Sequence, residues 1–395
     1  MALENICNRD DCTGCSLCMA ICPVSCITMR EGKLGHLYPV VDMGKCIDCG
    51  LCAKRCPANL YGTGPAQGRT KEAEEMFRMP DMAYAAWAKN EKEYVTSTSG
   101  GAAAVLSEYF ISAGGTVYGC AACPGEEKDG KHIPFTVKHV RIESREGLYR
   151  LKGSKYVQSS IGDTIPLLKK DVRSGRPVLF TGTPCQVAAV RQLFPRNPEN
   201  LFLMDIVCHG VPPASLLGRY VRDFLGIRPE SVSGISFRES GKFIFRVKGD
   251  REYSHRPLSG LRTEDLYYNL FMDGFTYRES CYRCPFATIE RISDITAGDF
   301  WHLGDDVPAH PHGVSLILPV SEKGRSIIPV LEKGMNLYVR TVQEAASGNG
   351  QLRSPWHKSL RIKLFRALEP FFGLRIYYPL VLDIIIRKRF FRRKG

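Results

Sequence analysis

Eight cysteines between Asp11 and Pro57 fall into two copies of one run: Cys12, Cys15, Cys18 and Cys22-Pro23, then Cys46, Cys49, Cys52 and Cys56-Pro57. Each copy reads C-x2-C-x2-C-x3-C-P. In such a run three closely spaced thiolates wrap a tight loop around one cuboidal iron–sulfur cluster. The fourth, before proline, reaches across to the other cluster. The spacing assigns Cys12, Cys15, Cys18 and Cys56 to one 4Fe-4S cluster, and Cys46, Cys49, Cys52 and Cys22 to a second. Zinc, the competing occupant, takes its thiolates in pairs rather than in a quadruple run. Cys7 and Cys26 lie outside the pattern and read as buried or spare thiols.

Little chain is available to hold these loops. Cys26 to Arg30, the turn Gly32 to Gly35, and Leu37 to Val41 read as a small hairpin that covers the clusters. Residues 1–60 resemble the bacterial two-cluster ferredoxins, which implies an α+β ferredoxin-like two-cluster module. Residues 61–80, Gly- and Pro-containing and then charged, read as a linker to a second domain at 81–320, with 321–395 as a C-terminal extension.

Four more cysteines, Cys185, Cys208, Cys281 and Cys284, remain for a third site. Pro177 to Thr181 reads as a buried strand, Gly182 to Gln186 as its loop and Val187 to Leu193 as a helix, so Cys185 lies at a strand's carboxyl end, where α/β sheets gather ligands. The strand Leu201 to Val207 delivers Cys208 in the same way, and Cys281 and Cys284 form a C-x2-C. Four thiolates from separate loops suit a 4Fe-4S cluster or a zinc ion, and spacing alone leaves both open. Further strands are expected at Ala83 to Ala88, Thr116 to Cys120 and Gly313 to Val320, with a strand-rich insertion from Ile235 to Gly249. The loop Ser97 to Gly101 opens a helical run, Ala102 to Ile111. Free N–H groups and the helix dipole suit such a loop to a phosphate, and so do Lys152 and Lys155 around the Gly153-Ser154 turn.

At 395 residues and 44% hydrophobic content, the chain can build two or three ordinary globular units. Thiolates that must stay reduced point to the cytoplasm, residues 1–6 carry no apolar run, and no segment is an uninterrupted bilayer span. The net charge of +13 is concentrated at one end. From His357 to Gly395, eleven Lys and Arg face only Glu369 and Asp383, so nucleic-acid binding by the whole chain is not expected. This basic, apolar tail can lie on the inner face of an anionic membrane or dock on protein.

Residues 83 to about 320 resemble the coenzyme F420 hydrogenase/dehydrogenase beta-subunit family. The stretches that carry the resemblance are Ser97 to Gly101, Gly153 to Gln158, Phe180 to Gln186, Cys208 to Pro212, Cys281 to Cys284 and Asp294 to Trp301. It implies an α/β flavin and iron–sulfur domain with one FAD beside a third 4Fe-4S cluster on Cys185, Cys208, Cys281 and Cys284. It further implies flavin contacts at Ser99, Gly100, Gly101, Gly153, Ser154, Lys155, Tyr156, Gly182, Thr183 and Pro184. Trp301 can stack on the flavin ring, and His302 stands where glycine is expected in the family. His209, Lys155 and Asp299 are the candidate proton donors. The expected activity is electron exchange between external ferredoxin, or another one-electron carrier, and coenzyme F420 or a small organic, sugar-linked or other, substrate. The competing expectation is an electron-transfer subunit of a larger hydrogenase or dehydrogenase.

Overall fold

The structure is a computed structural model that describes residues 6–62, 69–239, 242–255, 265–308 and 310–382. The N-terminal module contains one hairpin, β1 (Ile27–Glu31) against β2 (Leu37–Val41), antiparallel with Ile27 opposite Val41. Short helices at Leu17–Ile21 and Leu51–Lys54 carry the third cysteine of each run.

The second domain is built on β3 (Ala83–Ala88), β4 (Thr116–Cys123), a tip hairpin β5 (Glu126–Lys128) and β6 (Lys131–Ile133), and β7 (Thr136–Ile142). Then come β8 (Val178–Gly182), β9 (Leu201–Ile206), the small sheet β10 (Gly234–Glu239), β11 (Lys242–Lys248) and β12 (Glu252–His255), β13 (Ile295–Asp299), β14 (Ser315–Pro319) and β15 (Met335–Arg340). The main sheet has eight strands in the order β15-β3-β14-β13-β9-β8-β4-β7. Its centre, β4-β8-β9-β13, is parallel. Helices cover both faces, so the central strands are apolar throughout: Val178, Leu179 and Phe180 are each fully buried, as are Leu201 and Leu203.

The strand Gly313 to Val320 does not close the domain at residue 320. β15 adds beyond β3, with Leu337 opposite Ala86, and places Met335 in the core at 1% exposure. Its short alternating run, Met335 to Arg340, follows Gly334 and carries too little pattern to announce a strand. Helix Leu360–Phe372 docks too: Ile362 and Phe365 are buried with Phe275, and Arg366 donates to the Tyr277 carbonyl at 2.8 Å and to Glu279 at 2.9 Å. The basic run after Ile386 lies outside the described residues.

The expected linker is likewise no free tether where it is described. Tyr61 is fully buried against Phe77 and Phe286, and Arg78 exchanges backbone hydrogen bonds with Arg291 at 2.9 Å. Leu17 and Tyr61 share one apolar cluster with Tyr118, Phe180 and Val187 of the sheet domain. Burying each such side chain is worth roughly 1.5–3 kcal/mol. The cysteine-rich module is thus packed on the sheet domain through a common core.

Candidate functional site

Three sets of thiols gather in the structure. Cys12, Cys15, Cys18 and Cys56 lie together: Cys12, Cys15 and Cys56 all act electrostatically on Cys18, and Cys12 also acts on Cys15 and Cys56. Burial pushes the Cys15 thiol up to about 12, and the neighbouring Cys56 and Cys12 thiolates add to the rise. Cys12 moves the other way, down to about 6, through a hydrogen bond from Cys7 and the positive charge of Arg278. Cys22, Cys46, Cys49 and Cys52 line one cavity together with Cys26, Val24 and Ile27. Cys49 is exposed, so this outer set meets solvent.

The remaining four converge from three loops. Cys185 sits in the first turn of helix Pro184–Leu193, which Gln186 closes by accepting from the Thr183 N–H at 3.0 Å. Cys208 follows β9, and Cys281 and Cys284 lie in and just after a short 3-10 turn at Glu279–Arg283. Burial raises all four thiols, with Cys281 at about 11 and Cys284 at about 12. Cys185 and Cys281 each raise Cys208 and Cys284 further by like-charge repulsion. Buried thiols that repel one another as thiolates are a donor set that fits a cationic centre, whose charge would reverse those shifts. Among the described residues, no group of three or more His, Cys, Asp or Glu is arranged to hold a single metal ion.

The surplus cysteines are not stray. Cys7 hydrogen-bonds Cys12 and Cys56, and Cys26 lies 3.4 Å from Cys22 and within hydrogen-bond reach of Cys46 as well. Each set in the N-terminal module therefore has a fifth cysteine against the first cysteine of its run and the cysteine that crosses from the other run.

At the carboxyl edge of the sheet a second constellation forms beside Cys208. Asp299 ends β13 and accepts from Arg238 Nη1 at 2.5 Å. Arg238 is buried at 7% exposure, and its Nε has no partner among the described residues. Its guanidinium lies 4.6 Å from the Phe243 ring, which stacks on the half-exposed Trp301. Tyr156 stacks on Phe271 at 4.4 Å, and Phe271 also meets the His209 ring at 6.4 Å. Burial lowers the His209 pKa, and Asp299 partly restores it. His209, Asp299, Tyr156 and Trp301, four residues singled out from sequence, are thus brought into one neighbourhood. Arg238 was missed because it lies in the β10–β12 insertion, away from every motif. Its one sequence signal was a charge next to Phe237 near the end of the strand Gly234–Glu239.

Other expected contacts have local roles. Lys155 Nζ donates to the carbonyls of Leu151 at 2.9 Å and Lys152 at 2.8 Å, and burial lowers its pKa; its charged neighbours are Cys120 and Cys123 rather than His209. Ser99 Oγ donates to the Val314 carbonyl at 2.7 Å. A Cβ on Gly100 would meet the Ala86 carbonyl oxygen at 1.9 Å, so close packing alone requires glycine there. Gly101 N-caps helix Ala102–Ser112, and Pro184 opens the helix that carries Cys185. Gly153, at φ +83°, has no atom within 4 Å of its Cβ position, so the Gly153-Ser154 turn borders open space. His302 holds φ at 57°, the left-handed region that glycine enters freely, which accounts for a glycine expected at that place.

Residues 175–345 match the family described as the C terminus of the coenzyme F420 hydrogenase/dehydrogenase beta subunit. That segment of the chain, residues 175–345, belongs to the beta-subunit family. Residues 11–60 match the 4Fe-4S dicluster domain, so this beta-subunit relative is an iron–sulfur protein of oxidoreductase type. An uncharacterised ferredoxin of Methanocaldococcus jannaschii is 37% identical over 59 residues, 15% of this chain and 75% of that protein. One of the NADH-quinone oxidoreductase subunits of Geobacter metallireducens, designated I 2, is 36% identical over 58 residues, 13% of this chain and 44% of that protein. A chain from the F420-reducing NiFe hydrogenase complex of Methanosarcina barkeri is similar at 18% identity and a TM-score of 0.44, over 80% of this chain and 94% of that chain. Among the described residues no helix is long and apolar enough to cross a membrane.

Proposed function

We propose that this protein is a flavin-dependent iron–sulfur oxidoreductase that exchanges electrons between a ferredoxin-type carrier and a two-electron organic substrate, coenzyme F420 or a small, sugar-linked or other, metabolite. The observation that carries the reading is the contiguity of three thiol sets: an exposed outer set, an inner set packed on the sheet domain, and a third set beside the His209 and Asp299 neighbourhood. All twelve cysteines fit 4Fe-4S ligation, three clusters in all, which carry one electron each at a time. An FAD converts single electrons into a pair or a hydride.

The chain's own residues supply the rest. The exposed Cys49 edge lets a one-electron carrier approach the outer set. The Gly153-Ser154 turn and Arg238 Nε, without a partner among the described residues, suit the anionic part of a dinucleotide, and Trp301 and Phe243 offer a flat aromatic wall for its ring. Burial keeps His209 neutral near neutral pH, so it can accept a proton from substrate and return it, with Asp299 stabilising the charged form.

Anaerobic purification with iron, sulfide and flavin analysis tests this, followed by titration with reduced F420 and reduced ferredoxin. The expected result is about twelve irons, bound flavin, and bleaching by reduced ferredoxin. A colourless, iron-free or flavin-free chain sinks the proposal, and intact flavin that reduced F420 fails to bleach removes F420 as the substrate.

A second reading, an electron-transfer subunit of a larger assembly, is favoured by one feature. Leu360, Leu364 and Phe371 form a stripe along helix Leu360–Phe372 and are exposed at 80%, 45% and 80%, with Phe372 adjacent at 65%. An apolar stripe of this kind is covered by a partner subunit or by the membrane surface, to which the basic end of the chain adds attraction. Size-exclusion chromatography beside vesicle flotation separates these: a lone monomer that ignores anionic vesicles rejects both.

A further inference from the structure

Three arginines are buried among the described residues, Arg238, Arg278 and Arg291. Arg238 pairs with Asp299 and Arg291 with Asp205, at 2.5 and 2.9 Å. Arg278, at 1% exposure, forms no ion pair with a carboxylate among the described residues. A buried charge without a counter-charge costs several kcal/mol, so a negative group must be supplied where its guanidinium points. It points at the inner thiol set. Nε donates to the Cys12 carbonyl at 2.5 Å, Nη2 lies 3.5 Å from Cys12 Sγ and donates to the Leu37 carbonyl at 2.7 Å, and Nη1 reaches Gln158 Oε1 at 3.3 Å. The same residue's backbone carbonyl accepts from the Cys281 N–H at 3.0 Å, so one residue touches a ligand of the inner set and a ligand of the third.

We propose that Arg278 is the fixed counter-charge of the inner site (Cys12, Cys15, Cys18, Cys56) and that it raises the reduction potential there above that of the outer site. The proposal rests on the reading that these sets hold iron–sulfur clusters. Reduction adds one electron, supplied by a carrier of the ferredoxin class, and makes or breaks no bond. The more negative state gains more from a nearby cation, so net charge and hydrogen bonds to sulfur set the potential. The outer set receives no hydrogen bond from a buried cation among the described residues, so an electron entering at Cys49 is drawn inward toward Cys281. Arg278 acts here as a positioning and tuning residue.

The test is a potentiometric titration followed by electron paramagnetic resonance on the full chain, purified anaerobically, with iron and sulfide measured first. In Arg278→Gln, one midpoint should move to a more negative potential while the others stay, and Arg278→Lys, which keeps the charge, should move it less. A Gln variant with full iron and every midpoint at the wild-type value overturns the proposal. If that variant loses its iron, wild-type protein labelled with guanidino-15N arginine decides. Nitrogen coupling at one reduced cluster, lost in Arg278→Lys, supports it, and no coupling overturns it. An iron-poor wild-type chain would instead sink the underlying cluster reading.

Discussion

Gln158 Nε2 donates to the Thr13 carbonyl at 2.9 Å, while the Gln158 backbone N–H donates to the Pro212 carbonyl at 2.8 Å. One residue thus ties the loop between Cys12 and Cys15 to the loop that follows Cys208. Arg283 adds a charge contact from the third set's own turn, 2.8 Å from Asp11, although the two groups are not aligned as a hydrogen bond. Gly14, at φ +67°, completes the fit, because a Cβ there would stand 2.6 Å from Arg278 Nη1.

Gln158→Leu leaves the Thr13 carbonyl and one Arg278 N–H unpaired and should cost about 1–3 kcal/mol. Arg283→Ala, on a residue 41% exposed at its side chain, should cost under about 1 kcal/mol. Guanidinium unfolding of each variant checks the order. Equal costs would mean that the docking is electrostatic rather than hydrogen-bonded.

Much of this was legible in sequence. The duplicated cysteine runs carry their own pairing rule, and the strand-end positions of Cys185 and Cys208 follow from apolar runs that break at a loop. What could not be read was the docking. Arg278, Gln158 and His36 meet their partners in the other module across separations of more than a hundred residues, and no local pattern marks an arginine as buried. β7 and β15 escaped for a related reason: both are edge strands, polar on one side and defined by their partners. Lys155 shows the opposite failure. A lysine beside a Gly-Ser turn suggests an anion, yet its amine is spent on the carbonyls of the turn before it.

Cys208→Ala should remove the third site while leaving the N-terminal sets assembled. Iron content should fall by about four atoms per chain. A fall of about twice that would mean that the third site and the inner site assemble together through Arg278, and no fall would mean that these four thiols hold no cluster.

Asp299→Asn should do two separable things. It strands the buried Arg238 charge, and breaking such a pair costs about 3–5 kcal/mol, less here because Asp299 keeps 24% of its side-chain surface in water. It also removes the group that holds the His209 pKa up, so that pKa should fall further. Histidine NMR shifts against pH would show the second effect. A His209 titration identical to wild type would break the link between these residues.

Two buried histidines contribute to the acid side of the stability curve. His36 sits between the modules, with Nε2 at 3.3 Å from the Thr276 carbonyl, and burial together with Arg278 and Arg366 lowers its pKa to about 3. His139 lies within hydrogen-bond reach of the Thr181 carbonyl at 2.8 Å and Ser159 Oγ at 3.1 Å, and burial lowers it to about 4. Both are neutral in the folded chain, whereas the unfolded chain takes up their protons near the ordinary value of about 6.5. The unfolded state therefore binds more protons, and stability rises with pH through this window. It is fully present above about 6.5 and falls as pH drops toward 4, by up to about 1.4 kcal/mol per unit for each histidine. His36→Gln should flatten that slope by one proton's worth, measured by unfolding of cluster-loaded protein between about pH 7 and about pH 5.5. An unchanged slope would mean that His36 protonates in the folded chain, and hence that the contact between the β1–β2 hairpin and Thr276 opens readily to water.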